Sequence, residues 1–237
     1  EGWCNALTLG LTTWYDGKDI EFDFSQIRPA GARLKTMGGK ASGPKPLRSL
    51  LAFARERIMA RQGRRLRNID AHDIICKIGD CVVAGGVRRS AMISLSDLDD
   101  PDVRDAKKGQ FYLSDPHRSV ANNSAVYMEK PSNEEFMDEW VALMKSRSGE
   151  RGVFNRGGLL KQLPARRLRE WEKTGYIVNG RIAGSPGTMS GGERRWKSKQ
   201  FGNLTEVIAR SHDTKESLTR KARLATILGT YQSTRTE

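Results

Sequence analysis

The chain has 237 residues, enough for one sizeable core, with 37% hydrophobic and 29% charged residues. No run approaches the roughly 18 consecutive apolar residues of a membrane-spanning helix, and the start, Glu-Gly-Trp-Cys, lacks the basic-then-apolar pattern of a secretion signal. A formal charge of +13 attracts polyanions, whereas three cysteines (Cys4, Cys76, Cys81) are too few and irregular for a disulfide framework or a zinc site. No metal site is therefore expected, and the expected location is a reducing cytoplasm. A start without Met points to a piece of a longer chain.

Trp3 to Leu11 reads as a short apolar helix or strand. A hairpin-like piece follows: Asp16-Gly17 is a turn signal, and Ile20-Glu21-Phe22-Asp23-Phe24 alternates with the period of a half-buried strand. Residues 28–46 form a Gly-rich loop in which Lys35, Lys40 and Lys45 could add charge for a phosphate. Its spacing is not that of a P-loop, and a flexible surface loop is the simpler expectation. Leu47 to Gln62 is an amphipathic basic helix. Asp70 is the expected N-cap of a second helix, with Ala71, Ile74, Ile75, Ile78, Val82 and Val83 as its apolar stripe. Cys76 and Cys81, five apart, fall on different helix faces and read as buried small hydrophobes.

The helix runs out at Gly85-Gly86, and Val87-Arg88-Arg89-Ser90 leads into a strand over Ala91–Leu95. This crossing could contact an anion or a base, or be a C-cap followed by solvated charge. A short helix is expected over Asp102–Lys107 and a strand over Ala125–Met128, preceded by Asn122-Asn123 as turn residues or substrate-facing amides. Ser132-Asn133-Glu134-Glu135 is a capping box opening a helix to about Arg147, with Phe136, Trp140, Leu143 and Met144 inward. Val153–Asn155 reads as a strand, Gly158–Lys173 as a basic helix broken at Pro164, and Tyr176–Val178 as a further extended segment. Leu204–Ile208 is expected as a strand, and Asp213 with Glu216 as the capping box of a last helix reaching about Thr230. Strands alternating with helices imply a mixed α/β architecture.

Between these last segments lies Gly184-Ser-Pro-Gly-Thr-Met-Ser-Gly-Gly-Glu-Arg-Arg-Trp-Lys-Ser-Lys-Gln-Phe-Gly-Asn-Leu204. Alone it is a Gly-rich basic surface connection. Its Gly192-Glu193 and Phe201…Asn203-Leu204 resemble the active-site loop and following strand of ribonucleotide reductase large chains. That family has Asn-Pro where this chain has Met189-Ser190, the radical-bearing cysteine at Gly191, and a reducing cysteine at Gly202. Ile27–Gly39 is similar to the family's first specificity loop and Gly85–Ala91 to its second, while Asn122–Ser124 and Gly149–Arg156 resemble barrel segments between the loops and the active site. The likeness is to the adenosylcobalamin-dependent class.

The resemblance implies a ten-stranded α/β barrel, of which residues 1–237 would be the central part as one domain, incomplete at both ends. It implies a ribonucleoside di- or triphosphate substrate, a dNTP effector, a thioredoxin-like reductant and adenosylcobalamin as cofactor. Glu193 matches the carboxylate that assists at the ribose 3′-hydroxyl, and Asn203 matches the asparagine of the family's Phe-Cys-Asn-Leu stretch beyond it. Gly191 cannot form a thiyl radical, Gly202 cannot donate a reducing equivalent, and Met189 lacks the family's amide, so the chain as written is expected to be catalytically incompetent. Arg28, Lys35, Gly38, Gly39, Lys40, Gly85, Gly86, Arg88, Arg89 and Ser90 are the implied substrate and effector contacts. Arg194, Arg195 and Trp196 stand where an apolar strand would enter the barrel; unpaired buried arginines would cost several kcal/mol, which places that loop outside a closed barrel. Two other readings compete: a non-catalytic nucleotide-binding module, and a basic nucleic-acid-binding module. The last is disfavoured because aromatics are not interleaved with the basic runs.

Overall fold

The computed structural model describes residues 2–34, 39–83, 90–149, 151–188, 195–196 and 205–233. Three helices form its first layer: α1 (Gly2–Tyr15), α2 (Lys45–Met59) and α3 (Asn68–Val83). They close on Trp14, Leu47, Leu50, Leu51, Ala54, Ile58 and Ile74, with Ile20, Phe22, Phe24 and Ile27 packed against that core. Gly10 is required by close approach: a Cβ there would lie 2.6 Å from the Trp14 ring.

No hairpin forms after α1. Residues 18–24 are irregular, although Ile20, Phe22 and Phe24 do turn partly inward. They have no strand partner, and the Asp19 carboxylate is instead drawn to Trp14 Nε1 at 3.2 Å and Arg55 Nε at 2.8 Å. The guanidinium holds that carboxyl far below its usual range. A narrow hairpin appears instead in the Gly-rich segment. Leu34 N donates to Gly39 O at 3.0 Å, Ala41 N to Ala32 O at 2.7 Å, and Arg33 bridges Lys40.

Helix α3 starts two residues before the expected N-cap. Asp70 lies in its first turn and reaches back to accept from Arg67 N at 3.3 Å, while also accepting from Arg61 Nε at 3.0 Å. Beyond α3 come β1 (Met92–Ser96), the short helices α4 (Pro101–Arg104) and α5 (Phe111–Ser114), a 3-10 turn (Pro116–Val120), and β2 (Ala121–Tyr127). Asp100 caps α4 by accepting from Val103 N at 3.1 Å. Helix α6 (Asn133–Ser146) follows, with both bonds of the Ser132–Glu135 capping box present, and then β3 (Gly152–Asn155). The strands form one parallel sheet in the order β1-β2-β3, with Met92 opposite Ala121 and Ser124 opposite Gly152. The architecture is thus mixed α/β with a parallel sheet, joined by crossovers as parallel pairing requires.

Arg151, buried, pins the sheet's far end. Its Nε donates to Glu139 Oε2 at 2.7 Å, its Nη1 to Ser96 Oγ at 2.8 Å, and its Nη2 to the Asp97 carbonyl at 3.2 Å. Pro164 breaks the next helix into α7 (Leu159–Gln162) and α8 (Ala165–Lys173), the latter anchored by fully buried Trp171. A two-residue hairpin, β4 (Ile177–Val178) and β5 (Arg181–Ile182), turns at Asn179-Gly180, both at positive φ. A second short ladder pairs β6 (Gly187–Thr188) with β7 (Arg195–Trp196), and α9 (Lys215–Ser233) ends the described chain.

Three further expectations need correction. The α6 aromatics do not face a core: Phe136, Trp140 and Met144 are exposed, Phe136 stacking on Trp140 at 6.2 Å. No described element covers them. Thr205–Ile208 is exposed and not a strand, for want of a pairing neighbour among the described residues. At the start of α9, Asp213 and Glu216 do not form a reciprocal box. Thr214 Oγ1 accepts from Ser217 N at 3.2 Å, while Asp213 is taken by Arg210 N and Lys221 Nζ.

Candidate functional site

The implied nucleotide contacts fall on separate elements. Arg28, Gly39 and Lys40 are exposed, the last two on the 31–41 hairpin. Ser90 is half-buried just before β1, with its hydroxyl beside Gly79 of α3. Lys35, Gly38, Gly85, Gly86, Arg88, Arg89, Met189, Gly191, Glu193, Gly202 and Asn203 lie outside the described residues. So do Arg194 and the residues between Thr188 and Arg195, although the β6–β7 ladder closes on either side of them.

What the described chain does assemble is a buried polar hub between α3, the 3-10 turn and β2. Asp73, with no exposed surface, accepts a fork from Arg118: Nε to Oδ1 at 2.6 Å and Nη2 to Oδ2 at 2.7 Å. Arg118 also donates to the Ala106 carbonyl at 2.8 Å, and Arg57 of α2 approaches Asp73 Oδ2 at 3.5 Å. Burial would raise the Asp73 carboxyl, but Arg118, His117 and His72 together hold it well below the usual carboxylate range.

His72, one residue earlier, has Nε2 3.1 Å from Asn123 Oδ1 and Nδ1 3.5 Å from Asp73 Oδ1, and Cys76 Sγ lies 3.7 Å from Nδ1. Burial works against its imidazolium, yet Asp73, Cys76 and Asn123 outweigh it and push the pKa up to about 9. The charged ring donates from both nitrogens, one to Asp73 and one to Asn123. Asn123 is therefore a buried brace between β2 and α3. Asn122, on the opposite face of the strand, is the exposed amide of the pair. Cys76 and Cys81 are buried free thiols, as the apolar pattern of α3 implies.

Sequence reasoning did not find this hub. Its members are separated by up to 51 residues, and only the polar interruption His72-Asp73 in an otherwise apolar helix face signals it. Asp73, Asp115 and His117 could bring three ligand atoms within 4.8 Å of one another. His117 Nε2 stands 3.3 Å from Asp73 Oδ1 without a hydrogen-bond partner. The charges argue against a metal there: Arg118 forks Asp73 and lies 3.5 Å from Asp115, which Arg57 also approaches at 3.9 Å. Two guanidiniums already neutralise the two carboxylates, so a cation would have to displace them.

The described cavities measure about 440, 420 and 420 Å³. One of these is bounded by β1, His72 and the acidic residues Asp97, Asp99 and Asp100. Such volumes suit one drug-sized body. They do not fit a corrin with its adenosyl and nucleotide arms.

No family model matches the chain. Curated relatives do. A protein of Lactobacillus leichmannii named adenosylcobalamin-dependent ribonucleoside-triphosphate reductase is 36% identical over 218 residues, covering 88% of this chain and 27% of that protein. Proteins of the same name from Lacticaseibacillus paracasei and Euglena gracilis are 42% identical over 138 residues and 37% over 131, covering 57% and 54% of the chain and 18% of each relative. Among solved structures, a B12-dependent class II ribonucleotide reductase is 40% identical, covering 44% of this chain and 14% of that one with a TM-score of 0.39. By sequence, the chain is a relative of the adenosylcobalamin-dependent ribonucleotide reductases, of whose length it matches about a quarter.

Proposed function

We propose that the chain is the central portion of a ribonucleotide reductase catalytic domain, residues 1–237 forming part of one ten-stranded α/β barrel. The observation that carries this reading is the 36% identity over 88% of the chain. The fold accords with it. Each of β1 and β3 has one strand neighbour among the described residues, leaving an edge on which a larger sheet could continue.

In this reading the 28–46 hairpin and the 84–90 connection approach a ribonucleoside di- or triphosphate substrate and a dNTP effector. The α3 hub fixes the helix that leads into that connection against the 3-10 turn and β2. Glu193 is the carboxylate at the substrate's 3′-hydroxyl. Gly191 and Gly202 occupy the radical and reducing-thiol positions, which leaves the chain without either sulfur. In the intact enzyme the work is cytoplasmic, with a thioredoxin-like reductant. Adenosylcobalamin is named for the relatives; since the described cavities do not fit it, no step here runs through it.

The test is a graft. The matching stretch of the Lactobacillus leichmannii reductase is replaced by this chain, and dNTP formation is measured. The graft as written should be inactive, and Gly191→Cys with Gly202→Cys should return activity. Reduction at the parental rate by the unrestored graft would remove the role assignment.

A non-catalytic nucleotide-binding role is favoured by the retained arginines. It requires a saturable nucleotide site at the 84–90 segment, whose contribution to binding Arg88→Ala with Arg89→Ala removes.

A further inference from the structure

The end of the helical layer away from the 28–46 and 84–90 segments carries a second feature. Helix α2 starts beside the first segment and α3 ends beside the second, so the 60–67 turn joining the two helices lies some 22 Å away along α3, at about 1.5 Å per residue. Two cavities meet there. One, about 440 Å³, is a mainly apolar trough between α1 and α3 lined by Leu11, Ile74 and Ile75 together with Thr12 and Asp16. The other, about 420 Å³, is bounded by the turn itself, including Arg64 and Arg65. Tyr15, Ile58 and Leu66 line both. Tyr15 stands at the junction with 75% of its surface exposed.

The turn holds four arginines, two of them committed. Arg61 and Arg67 donate to Asp70 at 3.0 and 3.2 Å. Arg64 and Arg65 are exposed and have no acidic partner among the described residues. The turn is nevertheless fixed: Gly63 takes positive φ, Arg64 N donates to the Arg61 carbonyl at 2.9 Å, and Gln62 Nε2 donates to the Trp14 carbonyl of α1. An apolar trough, one exposed aromatic ring and two guanidiniums without an acidic partner among the described residues therefore adjoin on a braced frame.

We infer that this cleft binds a free mononucleotide, with the base against Tyr15 and the apolar trough and the phosphates on Arg64 and Arg65. The guanidinium fork suits phosphate oxygens, and an exposed ring offers a stacking face to any base. A nucleic-acid strand would need successive rings along a groove; this cleft has one ring and a volume for one ligand body. The site is independent of the reductase reading, since it uses none of the residues assigned there.

The experiment is calorimetric titration of the full chain in about 150 mM salt with ATP, inorganic tripolyphosphate and a deca-thymidylate. Arg88→Ala/Arg89→Ala serves as the background that silences the other segment. Saturable ATP binding should persist in that background and weaken about tenfold or more with Arg64→Glu/Arg65→Glu. Tyr15→Ala should bring ATP down to the affinity of tripolyphosphate. Arg166→Glu/Arg169→Glu, the same charge change on α8, should leave binding unchanged. Circular dichroism melts confirm that each variant folds.

The inference is overturned if ATP does not bind, if tripolyphosphate binds as tightly as ATP, if the oligonucleotide binds more tightly than ATP, or if the α8 variant weakens binding equally.

Discussion

Asp73→Asn is the substitution that interrogates the hub most directly. It keeps the side chain's shape and removes its charge. Asp73 is fully buried and takes both ends of the Arg118 fork at 2.6 and 2.7 Å, with Arg57 at 3.5 Å. Breaking such a pair leaves an uncompensated buried cation, at a cost of about 3–5 kcal/mol. Arg118 retains the Ala106 carbonyl at 2.8 Å and Asp115 at 3.5 Å, which places the expected loss at the lower end, ~3 kcal/mol. For a chain of this size that is a fall in Tm of about 6–12 °C. The assay is thermal unfolding followed by circular dichroism at neutral pH for the parent, Asp73→Asn, Arg118→Met and the double variant. The two single losses should not add; a coupling above about 1.5 kcal/mol is expected, because the second substitution removes the stranded partner. A single-variant shift under about 2 °C, or simple additivity, would refute the reasoning. Because the Asp73 carboxyl is depressed on folding, its stabilisation is present above its ordinary value of 3.8 and is lost as the pH falls through its lowered folded value.

His72 gives the opposite sign. Its pKa rises from 6.5 to about 9 on folding, so its contribution is complete below 6.5 and disappears as the pH climbs through about 9. The parent's Tm should therefore fall across that window and His72→Gln should flatten the fall; parallel curves for the two proteins would show that His72 does not carry the charge. Backbone fit makes a third prediction. A Cβ at Gly157 would lie 1.6 Å from the Met128 carbonyl oxygen, whereas Gly187 has open space around it. Gly157→Ala should thus destabilise by at least about 3 kcal/mol and Gly187→Ala by less than about 0.5 kcal/mol in urea unfolding. Equal midpoints would mean that the β3–α7 turn does not fold as described.

Local chemistry made much of this protein legible in the sequence. The Ser132–Glu135 box starts α6 because a hydroxyl and a carboxylate three residues apart satisfy each other's backbone donors. Pro164 splits α7 from α8 because it lacks a donor, and Cys76 and Cys81 are buried as small hydrophobes, whereas Ile75 and Val82 of the expected α3 stripe are exposed. The resemblance read around Gly192-Glu193 and Gly85–Ala91 agrees with relatives 36% identical over 88% of the chain. Other features depend on partners distant in the chain. Ile20–Phe24 has a strand's period but no strand to pair with, and Phe136 and Trp140 have a core-facing pattern but no described element over them. Asn123 reads as a turn residue or a substrate-facing amide until His72, 51 positions earlier, is brought against it. Asp73 carries no signal of its own in the sequence until Arg118, 45 positions later, closes on it. The sequence by itself determined most of the helices and their starts, and the relatives the chain resembles; it did not determine which extended segments would find a strand to pair with. The tertiary structure decided which polar groups are buried together, because an ion pair across α3 and the 3-10 turn exists only once β1 and β2 have been laid in register.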